Sequence, residues 1–270
     1  MKKNVFNNRK LFCSAAIVAA AVTLSSCLEG GGNSVRQQTA GVVRLDLKSF
    51  KNVLDVSAYE AVYSPAFANM EEGTCCYIYY ELDYELPENA SNAVAANGYY
   101  TVTVMDKTEV DRYHMSSVAD TSSVALPDET PVIDPRAEIG GYVKGIIFLI
   151  HQIKSPEDQK TNWMLSYDRE NPYKTENGEN IYDVYLRAVV RIPGTKTSEE
   201  RHESCAYDMT AFIEGAALQE KSRGKDVVAI RFNYVSSINE DGTVVWSKTD
   251  KTELGTAMII PETAAGSAGK

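Results

Sequence analysis

The sequence is poor in the residues and motifs from which metal centres and nucleotide sites are built. It holds three histidines and five cysteines in 270 residues, with no CxxC pair and no two histidines at metal-ligand spacing. The serine-elbow motif GxSxG, the phosphate loop GxxxxGK and the dinucleotide turn GxGxxG are all missing. We therefore predict no metal, no cofactor and no enzymatic activity.

Acidic residues are missing from the first 26 positions. Four basic residues stand there instead, followed by an apolar run over residues 11–24. This run is shorter than the roughly 20 apolar residues that cross a bilayer core. Basic residues followed by a short apolar run are typical of a secretory signal peptide. We predict such a signal over residues 1–26.

The signal ends in Leu24-Ser25-Ser26-Cys27, which resembles the bacterial lipobox. In lipoproteins that carry this motif, the cysteine thiol receives a diacylglycerol after the signal is removed. The alternative is an ordinary signal peptide with a cysteine near its cut site. The resemblance implies that Cys27 is the lipidation site and that residues 27–39, which begin with a glycine-rich stretch, form a tether.

Positive charge is scarce in the remaining chain. Removal of residues 1–26 takes away four positive charges and no negative one, which changes the formal net charge from −10 to −14. Such a chain is not expected to bind nucleic acid through a basic surface, so the predicted membrane contact is the lipid. Leu28 follows the cysteine, which by resemblance to enterobacterial lipoproteins implies the outer membrane. The periplasmic and the surface-facing leaflet both stay open.

Three cysteines remain after Cys13 is removed and Cys27 is lipidated: Cys75, Cys76 and Cys205. Neighbouring residues of a strand point to opposite faces, so Cys75 and Cys76 cannot both meet Cys205. Two alternatives stand: three buried, unpaired thiols, or one bridge from Cys75 or Cys76 to Cys205.

Alternation of apolar and polar residues predicts strands in the first half of the chain. Residues 43–48 alternate, and so does a second strand whose apolar face carries Cys76, Ile78, Tyr80, Leu82 and Tyr84. A loop is predicted over residues 87–92 and a turn at Asn97-Gly98, before a β-branched and aromatic strand over residues 99–105. These elements predict a small antiparallel β domain over residues 40–118.

Serine and proline then replace the alternation. Residues 116–135 carry four serines and three prolines among acidic residues, with no sustained period. Because proline cannot donate to a sheet ladder, we predict a linker over residues 119–139. The alternative is a long loop inside one domain.

The second half predicts a β-sandwich over residues 140–262 with one crossover helix, followed by a tail over residues 263–270. Its predicted helix rests on Met209, Phe212, Ile213, Ala216 and Ala217, with Thr197–Ser204 before it as a solvated loop. The predicted strands cover Tyr142–Ile150, 163–167, 182–192, 228–234, 243–247 and 257–260. The fold class predicted for the whole chain is all-β.

This second half resembles the β-sandwich domain of NigD-like lipoproteins from anaerobic Gram-negative bacteria. The matching residues are Leu165-Ser-Tyr-Asp168, Tyr185-Leu-Arg187, Tyr207-Asp-Met209, Phe232-Asn-Tyr234 and Asp241-Gly242. Members of that family carry a lipobox and an N-terminal OB-like barrel, so the resemblance implies an OB-like first domain. The first half lacks the Gly-Val and Tyr-Leu-Asp-Gly pattern that recurs in the family.

Four tyrosines are the candidate binding surface: Tyr77, Tyr79, Tyr99 and Tyr100. Tyrosines mixed with carboxylates on a sheet stack on sugars or anchor a protein partner. The alternative is that a second domain covers them and makes them packing residues. Two functions therefore stand beside each other: an envelope module that binds a glycan or a protein, and an immunity-type or structural lipoprotein, which the resemblance implies. A hydrolase built on abundant acidic pairs is a distant third.

Overall fold

The computed structural model describes residues 33–260. Strands dominate this part of the chain and build three sheets, interrupted by short helices. The all-β fold class predicted from the sequence is confirmed, with one sheet in the first half and two in the second.

The first domain is a curved six-stranded sheet. Its strands are β1 (Ser34–Asp46), β2 (Lys51–Asp55), β3 (Ala61–Tyr63), β4 (Cys75–Asp83), β5 (Tyr100–Thr101) and β6 (Thr103–Val110), in the order β5-β3-β2-β1-β4-β6. Helix α1 (Ser91–Asn97) lies between β4 and β5 and ends at Gly98, whose φ of 79° closes it. The sequence pattern missed this short helix, because none of its residues is buried.

The alternation in β4 sorts its side chains as predicted. Cys76, Ile78, Tyr80 and Leu82 are buried in the core of the first domain, while Tyr79 between them is exposed. The predicted apolar face ends earlier than expected, because β4 stops at Asp83 and leaves Tyr84 exposed. Burying one face of the sheet in this way is what fixes its register.

The second domain consists of two packed sheets. Its strands are β7 (Arg112–His114), β8 (Val132–Val143), β9 (Ile146–Pro156), β10 (Lys160–Tyr167), β11 (Lys174–Glu176), β12 (Glu179–Ile192), β13 (Ser198–Asp208), β14 (Val227–Ile238), β15 (Val244–Lys248) and β16 (Thr252–Gly255). One sheet has the order β7-β13-β9-β8. The other has the order β10-β12-β14-β15, with β11 paired to β12 and β16 to β14.

The two sheets bury a single large core, as the alternating strands predict. Leu149 and Tyr207 come from one sheet, and Trp163, Val184 and Phe232 come from the other. Helix α2 (Thr210–Ser222) packs its buried residues Phe212, Ile213, Ala216 and Ala217 against the same core. The predicted crossover helix is therefore confirmed.

The predicted strand Tyr142–Ile150 is wrong, because a tight hairpin turn interrupts it. Lys144 and Gly145 both have positive φ, 45° and 90°, which is the conformation of a two-residue hairpin loop. Gly145 is required here for a second reason: a Cβ on it would overlap Thr210 at the start of α2. The apolar run therefore supplies the end of β8 and the start of β9.

Two further elements differ from the sequence pattern. The predicted solvated loop Thr197–Ser204 is mostly strand β13, which pairs antiparallel with β9 along Ser198–Asp208. Backbone pairing holds its first residues although their side chains are mostly exposed, so they carry no apolar alternation. The predicted last strand over residues 257–260 is instead the short helix α3 (Thr256–Ile259), with Ile259 buried in the core.

The two domains follow each other with only Asp111 between β6 and β7. Strand β7 pairs in parallel with β13 and so belongs to the second domain. The chain then crosses the sandwich through residues 115–131, which we name the strap, and enters β8 at Val132. This path differs from the predicted linker over residues 119–139, because the strap lies against the sandwich and β8 begins within that range.

Candidate functional site

The first candidate, the tyrosine surface, begins at the contact between the two domains. Tyr77 packs edge-on against Phe148 of β9, with ring centroids 5.5 Å apart. Both belong to an apolar cluster that also holds Ala40, Cys75 and Val143. The salt bridge from Lys144 to Asp55, at 2.9 Å, joins the domains beside this cluster. Tyr77 is thus a packing residue between domains.

The four tyrosines do not form one surface. Tyr79 is 39% exposed and lines a shallow hollow together with Tyr77, Asp106 and Thr108. Tyr99 is buried against Tyr63, at 5.5 Å between ring centroids. Tyr100 is half-buried, and its nearest aromatic contact is the edge of Tyr84. The predicted four-residue surface is therefore corrected: Tyr99 is core, Tyr77 and Tyr100 are half-buried, and Tyr79 is the exposed one of the four.

The three cysteines are buried and free. Cys76 lies in the first core, Cys75 at the domain contact and Cys205 in the sandwich core. Burial raises the pKa of Cys75 to about 11 and that of Cys76 to about 12. Of the two alternatives left by the sequence, the structure shows unpaired thiols, which at neutral pH are protonated and poorly nucleophilic.

His151 is a structural residue of the sandwich core. Its ring stacks on Trp163, with centroids 3.8 Å apart. Its Nδ1 lies 3.1 Å from the carbonyl oxygen of Glu203, which can only accept, so Nδ1 donates and Nε2 accepts from the Tyr207 hydroxyl at 3.0 Å. Burial lowers the pKa of His151 to about 3, so the ring is neutral at physiological pH.

A buried arginine holds the strap on the sandwich. Arg187 of β12 donates to Asp120 at 2.5 Å, to both carboxylate oxygens of Glu129 and to the carbonyl oxygen of Val124 at 2.9 Å. All three partners belong to the strap. The guanidinium also lies 5.5 Å from the ring centroid of Trp246. The sequence pattern placed Arg187 on a polar strand face and missed this role.

The strap forms one wall of a cleft on the second domain. This strap cleft, of about 630 Å³, has Ser117, Val118, Ala119 and Thr121 on that wall. The loop between β10 and β11 supplies the opposite wall, through Asp168–Asn171, Tyr173 and Lys174. Asp183 and Tyr185 of β12 lie between the two walls.

Both tyrosines of the strap cleft are fixed by neighbouring rings. Tyr185 meets Trp246 edge-on, with ring centroids 5.8 Å apart. Tyr173 packs against Tyr182, with centroids 5.5 Å apart. Each tyrosine side chain therefore loses little conformational entropy when a ligand binds, which favours ligand binding.

The carboxylates of Asp168 and Asp183 are occupied by internal hydrogen bonds. Asp183 accepts from Arg231 at 2.8 Å and from Asn233 at 3.0 Å. Burial opposes ionisation of Asp183, yet these hydrogen bonds hold its pKa below the usual value. Asp168 accepts from the side chain and backbone of Asn171, which likewise lowers its pKa. Both groups are ionised at neutral pH and order the walls of the cleft.

Residues 33–260 contain no group of three or more His, Cys, Asp or Glu side chains arranged to hold a metal ion. In the same part of the chain, no helix is long and apolar enough to cross a bilayer. The predicted signal over residues 1–26, the lipidation site Cys27, residues 27–32 of the predicted tether and the predicted tail lie outside the described residues. The predicted tether is too long at its end, because residues 34–39 belong to β1 and pair with β4.

A family model described as a lipoprotein OB domain matches residues 31–108. The match covers the first domain and confirms the OB-like fold that the resemblance to NigD-like lipoproteins implies. It also supports the lipoprotein class. No curated protein sequence matches the chain.

Solved structures of similar fold come from Parabacteroides and Bacteroides species. An uncharacterised protein from Parabacteroides merdae has a TM-score of 0.69 at 20% identity, over 82% of this chain and 99% of its own. A candidate lipoprotein from Bacteroides fragilis has a TM-score of 0.51 at 12% identity, over 82% and 98%. A NigD-like immunity protein from Bacteroides caccae, at 12% identity over 78% and 91%, has a TM-score of 0.42, which is too low to carry an argument. The first two show the two-domain fold.

Proposed function

We propose that this chain is a lipid-anchored protein of the bacterial cell envelope that binds a glycan without transforming it. Two independent features support the anchor: the lipobox-like Leu24-Ser25-Ser26-Cys27 and the lipoprotein OB match that begins at residue 31. Leu28 after the cysteine favours the outer membrane. Dual or triple acylation at one cysteine gives stable membrane attachment, since each buried methylene contributes about 0.8 kcal/mol.

The observation that carries the binding proposal is the strap cleft. Its volume of about 630 Å³ lies within the range of roughly 300–1,000 Å³ that is usual for small-ligand sites. Two fixed phenol rings, Tyr173 and Tyr185, share the cleft with hydroxyl, amide and charged groups from both walls. Aromatic rings with polar groups around them suit a sugar, which has apolar ring faces and a rim of hydroxyl groups.

Two carboxylates of the cleft are poorly suited to catalyse glycoside hydrolysis. Glycoside hydrolysis by paired carboxyl groups needs one of them protonated, as a general acid with a raised pKa. Asp168 and Asp183 both have lowered pKa values, and their oxygens accept hydrogen bonds from within the chain. These two carboxylates are therefore unsuited to deliver a proton to a leaving group.

Affinity electrophoresis tests the glycan proposal. The acyl-free mature chain is run through gels that contain soluble bacterial or plant polysaccharides, beside the variants Tyr173→Ala and Lys174→Ala. Retardation by at least one polysaccharide, weakened about tenfold in both variants, is the expected result. Tyr59→Ala is the matched control, since Tyr59 is an exposed tyrosine of the first domain, outside the cleft. Migration unaffected by every polysaccharide, or equal retardation of all forms, would overturn the proposal.

Metabolic labelling with an alkynyl fatty acid tests the anchor separately. The wild-type chain is expected to carry the label and to fractionate with outer membranes. The variant Cys27→Ala should lose both properties. Equal labelling of the two forms would show that Cys27 is not the acylated residue.

A further inference from the structure

The hairpin between β1 and β2 presents an exposed apolar tip, formed by Leu47, Lys48, Ser49 and Phe50. Leu47 is 76% exposed and Phe50 is 79% exposed. The turn itself is ordered, because the Asp46 carboxylate accepts from both the backbone and the hydroxyl of Ser49 and the Phe50 N–H donates to the Asp46 carbonyl oxygen. Two large apolar side chains are thus held in solvent by a fixed turn.

Neither the turn nor the core explains the phenylalanine in this tip. Phe50 has a φ of 53°, in the left-handed region that glycine and asparagine occupy at low cost and bulky residues do not. A side chain with four-fifths of its surface exposed gains little from burial within the chain. Phe50 and Leu47, two exposed apolar side chains on one ordered turn, are together available to contact a surface outside the chain.

We propose that this tip inserts into the interface of the phospholipid bilayer that holds the acyl chains, an inference that rests on the proposed lipid anchor. The size of the tip decides between a membrane and a protein partner. A stable protein interface buries about 800 Å² on each side, far more than two side chains supply. A bilayer interface, by contrast, accepts single apolar side chains at a shallow depth.

The charges at the tip fit a phospholipid surface. Lys48 lies between the two apolar residues and Lys51 follows Phe50, and both lysines are exposed. The Lys48 ammonium reaches the carbonyl oxygen of Ala96, and that of Lys51 lies 4.4 Å from the Tyr63 ring centroid. These two positive groups stand in a chain whose formal net charge is −10, so the tip differs in sign from the chain as a whole. Headgroup phosphates would therefore attract the tip more than the body.

The anchor and the tip can reach the same bilayer. Residues 27–33 span at most about 24 Å when extended. Strand β1 separates Ser34 from the tip by up to about 40 Å. Both ends therefore meet one membrane when β1 lies at a shallow angle to its plane. The anchor keeps the tip at a high local concentration near the lipid, so a contact that is weak by itself is sufficient.

Fluorescence quenching by brominated lipid tests the insertion. The mature lipidated variant Phe50→Trp is reconstituted into phosphatidylethanolamine vesicles, with and without phosphatidylglycerol, and the wild type supplies the background of Trp163 and Trp246. A blue shift of the added tryptophan, and quenching by lipids brominated near the headgroup, are expected. Leu47→Ser in the same background should weaken the quenching at least twofold.

Tyr59→Trp is the control, because it places a tryptophan at another exposed position of the first domain. It should show neither shift nor quenching. An unshifted, unquenched Trp at position 50, or equal quenching at positions 50 and 59, would overturn the proposal. A second preparation separates a failure of the lipid anchor from a failure of the tip to insert. In it, a hexahistidine replaces residues 1–27 and binds nickel-chelating vesicles, and the tip must insert there as well.

Discussion

Arg187 and Glu129 are 58 residues apart in sequence and form a two-point ion pair that solvent does not reach. The guanidinium donates to the two carboxylate oxygens at 2.8 and 3.1 Å, and the side chains are 1% and 0% exposed. This pair joins the strap to β12, and it stands behind the wall of the strap cleft. The shape of the cleft therefore depends on a contact that no ligand would touch.

We expect Arg187→Met to destabilise the chain and to release the strap. Removing one partner of a buried ion pair leaves an uncompensated charge and typically costs about 3–5 kcal/mol in the free energy of unfolding. Urea unfolding measures this loss, and limited proteolysis should show new cuts within residues 115–131. The wild-type strap should resist the same protease.

Arg136→Met serves as the control for that experiment, since Arg136 is exposed and pairs with Asp134 at the surface. Its loss should be below about 1 kcal/mol. The double variant Arg187→Met, Glu129→Gln should recover part of the lost stability, because it removes the orphaned charge. If the protease cuts the strap of the wild-type chain as readily as that of Arg187→Met, Arg187 does not hold the strap on the sandwich.

Two side chains of β4 should differ sharply in what they contribute to stability. Leu82→Ala removes a buried side chain from the first core and should cost about 2–5 kcal/mol. Tyr79→Ala removes a side chain that is open to solvent and should change stability by about 0.5 kcal/mol or less. Thermal unfolding checks both. Equal losses would mean that both faces of this strand are packed.

Stability should fall as the pH drops from 6.5 towards 5, because of His151. The pKa of this ring is lowered to about 3 in the folded chain, so only the unfolded chain takes up the proton in this window. Each pH unit below the unfolded pKa then costs up to about 1.4 kcal/mol. Above pH 6.5 the ring is neutral in both the folded and the unfolded chain, so its lowered pKa costs no stability there. Below pH 6.5 the free energy of unfolding falls with the pH.

His151→Phe should flatten this pH dependence while it keeps the ring stacked on Trp163. The control is His202→Gln, which changes an exposed histidine and should leave the slope as it is in the wild type. Urea midpoints at half-unit pH steps measure the slopes. A slope that persists in His151→Phe would assign the effect to other groups.

The three cysteines should be silent towards a thiol reagent in the folded chain. Burial raises the pKa values of Cys75, Cys76 and Cys205, so little thiolate exists at pH 8 and little of it is accessible. An acyl-free chain in which a hexahistidine replaces residues 1–27 should react with Ellman's reagent at none of them when native and at all three in guanidinium chloride. A single reactive thiol after unfolding would show that two of them form a bridge.

The sequence predicts those elements in which one face is buried and the other is not. The alternation of Ile78 with Tyr79, and of Trp163 with Met164, marks half-buried strands, and Phe212 with Ala216 marks one face of a helix. Elements without such contrast were missed. Strand β13 begins with polar and charged residues that pair with β9 and show no apolar alternation, and α1 buries no residue at all.

The candidate site was predictable only in part, because its walls come from distant parts of the chain. Asp168 and Tyr185 belong to motifs of the family resemblance. The sequence around them does not indicate that a cleft lies between them. The missing wall is the strap, whose serines and prolines indicate a linker. Its place on the sandwich is set by Arg187, a charged residue in an alternating strand, where the pattern indicates a solvated side chain.

The parallel pairing of β7 with β13 sets an order in which the chain is expected to fold. All strands of the first sheet lie within residues 34–110, so this domain can form as soon as that stretch has been synthesised. Strand β7 must wait for a partner that follows 94 residues later, since Arg112 pairs with Ala206. Contacts at such separation form slowly. Until β8, β9 and β13 have formed, the apolar cluster around Ala40 and Cys75 stays uncovered, and we expect the chain to be most prone to aggregation at this stage.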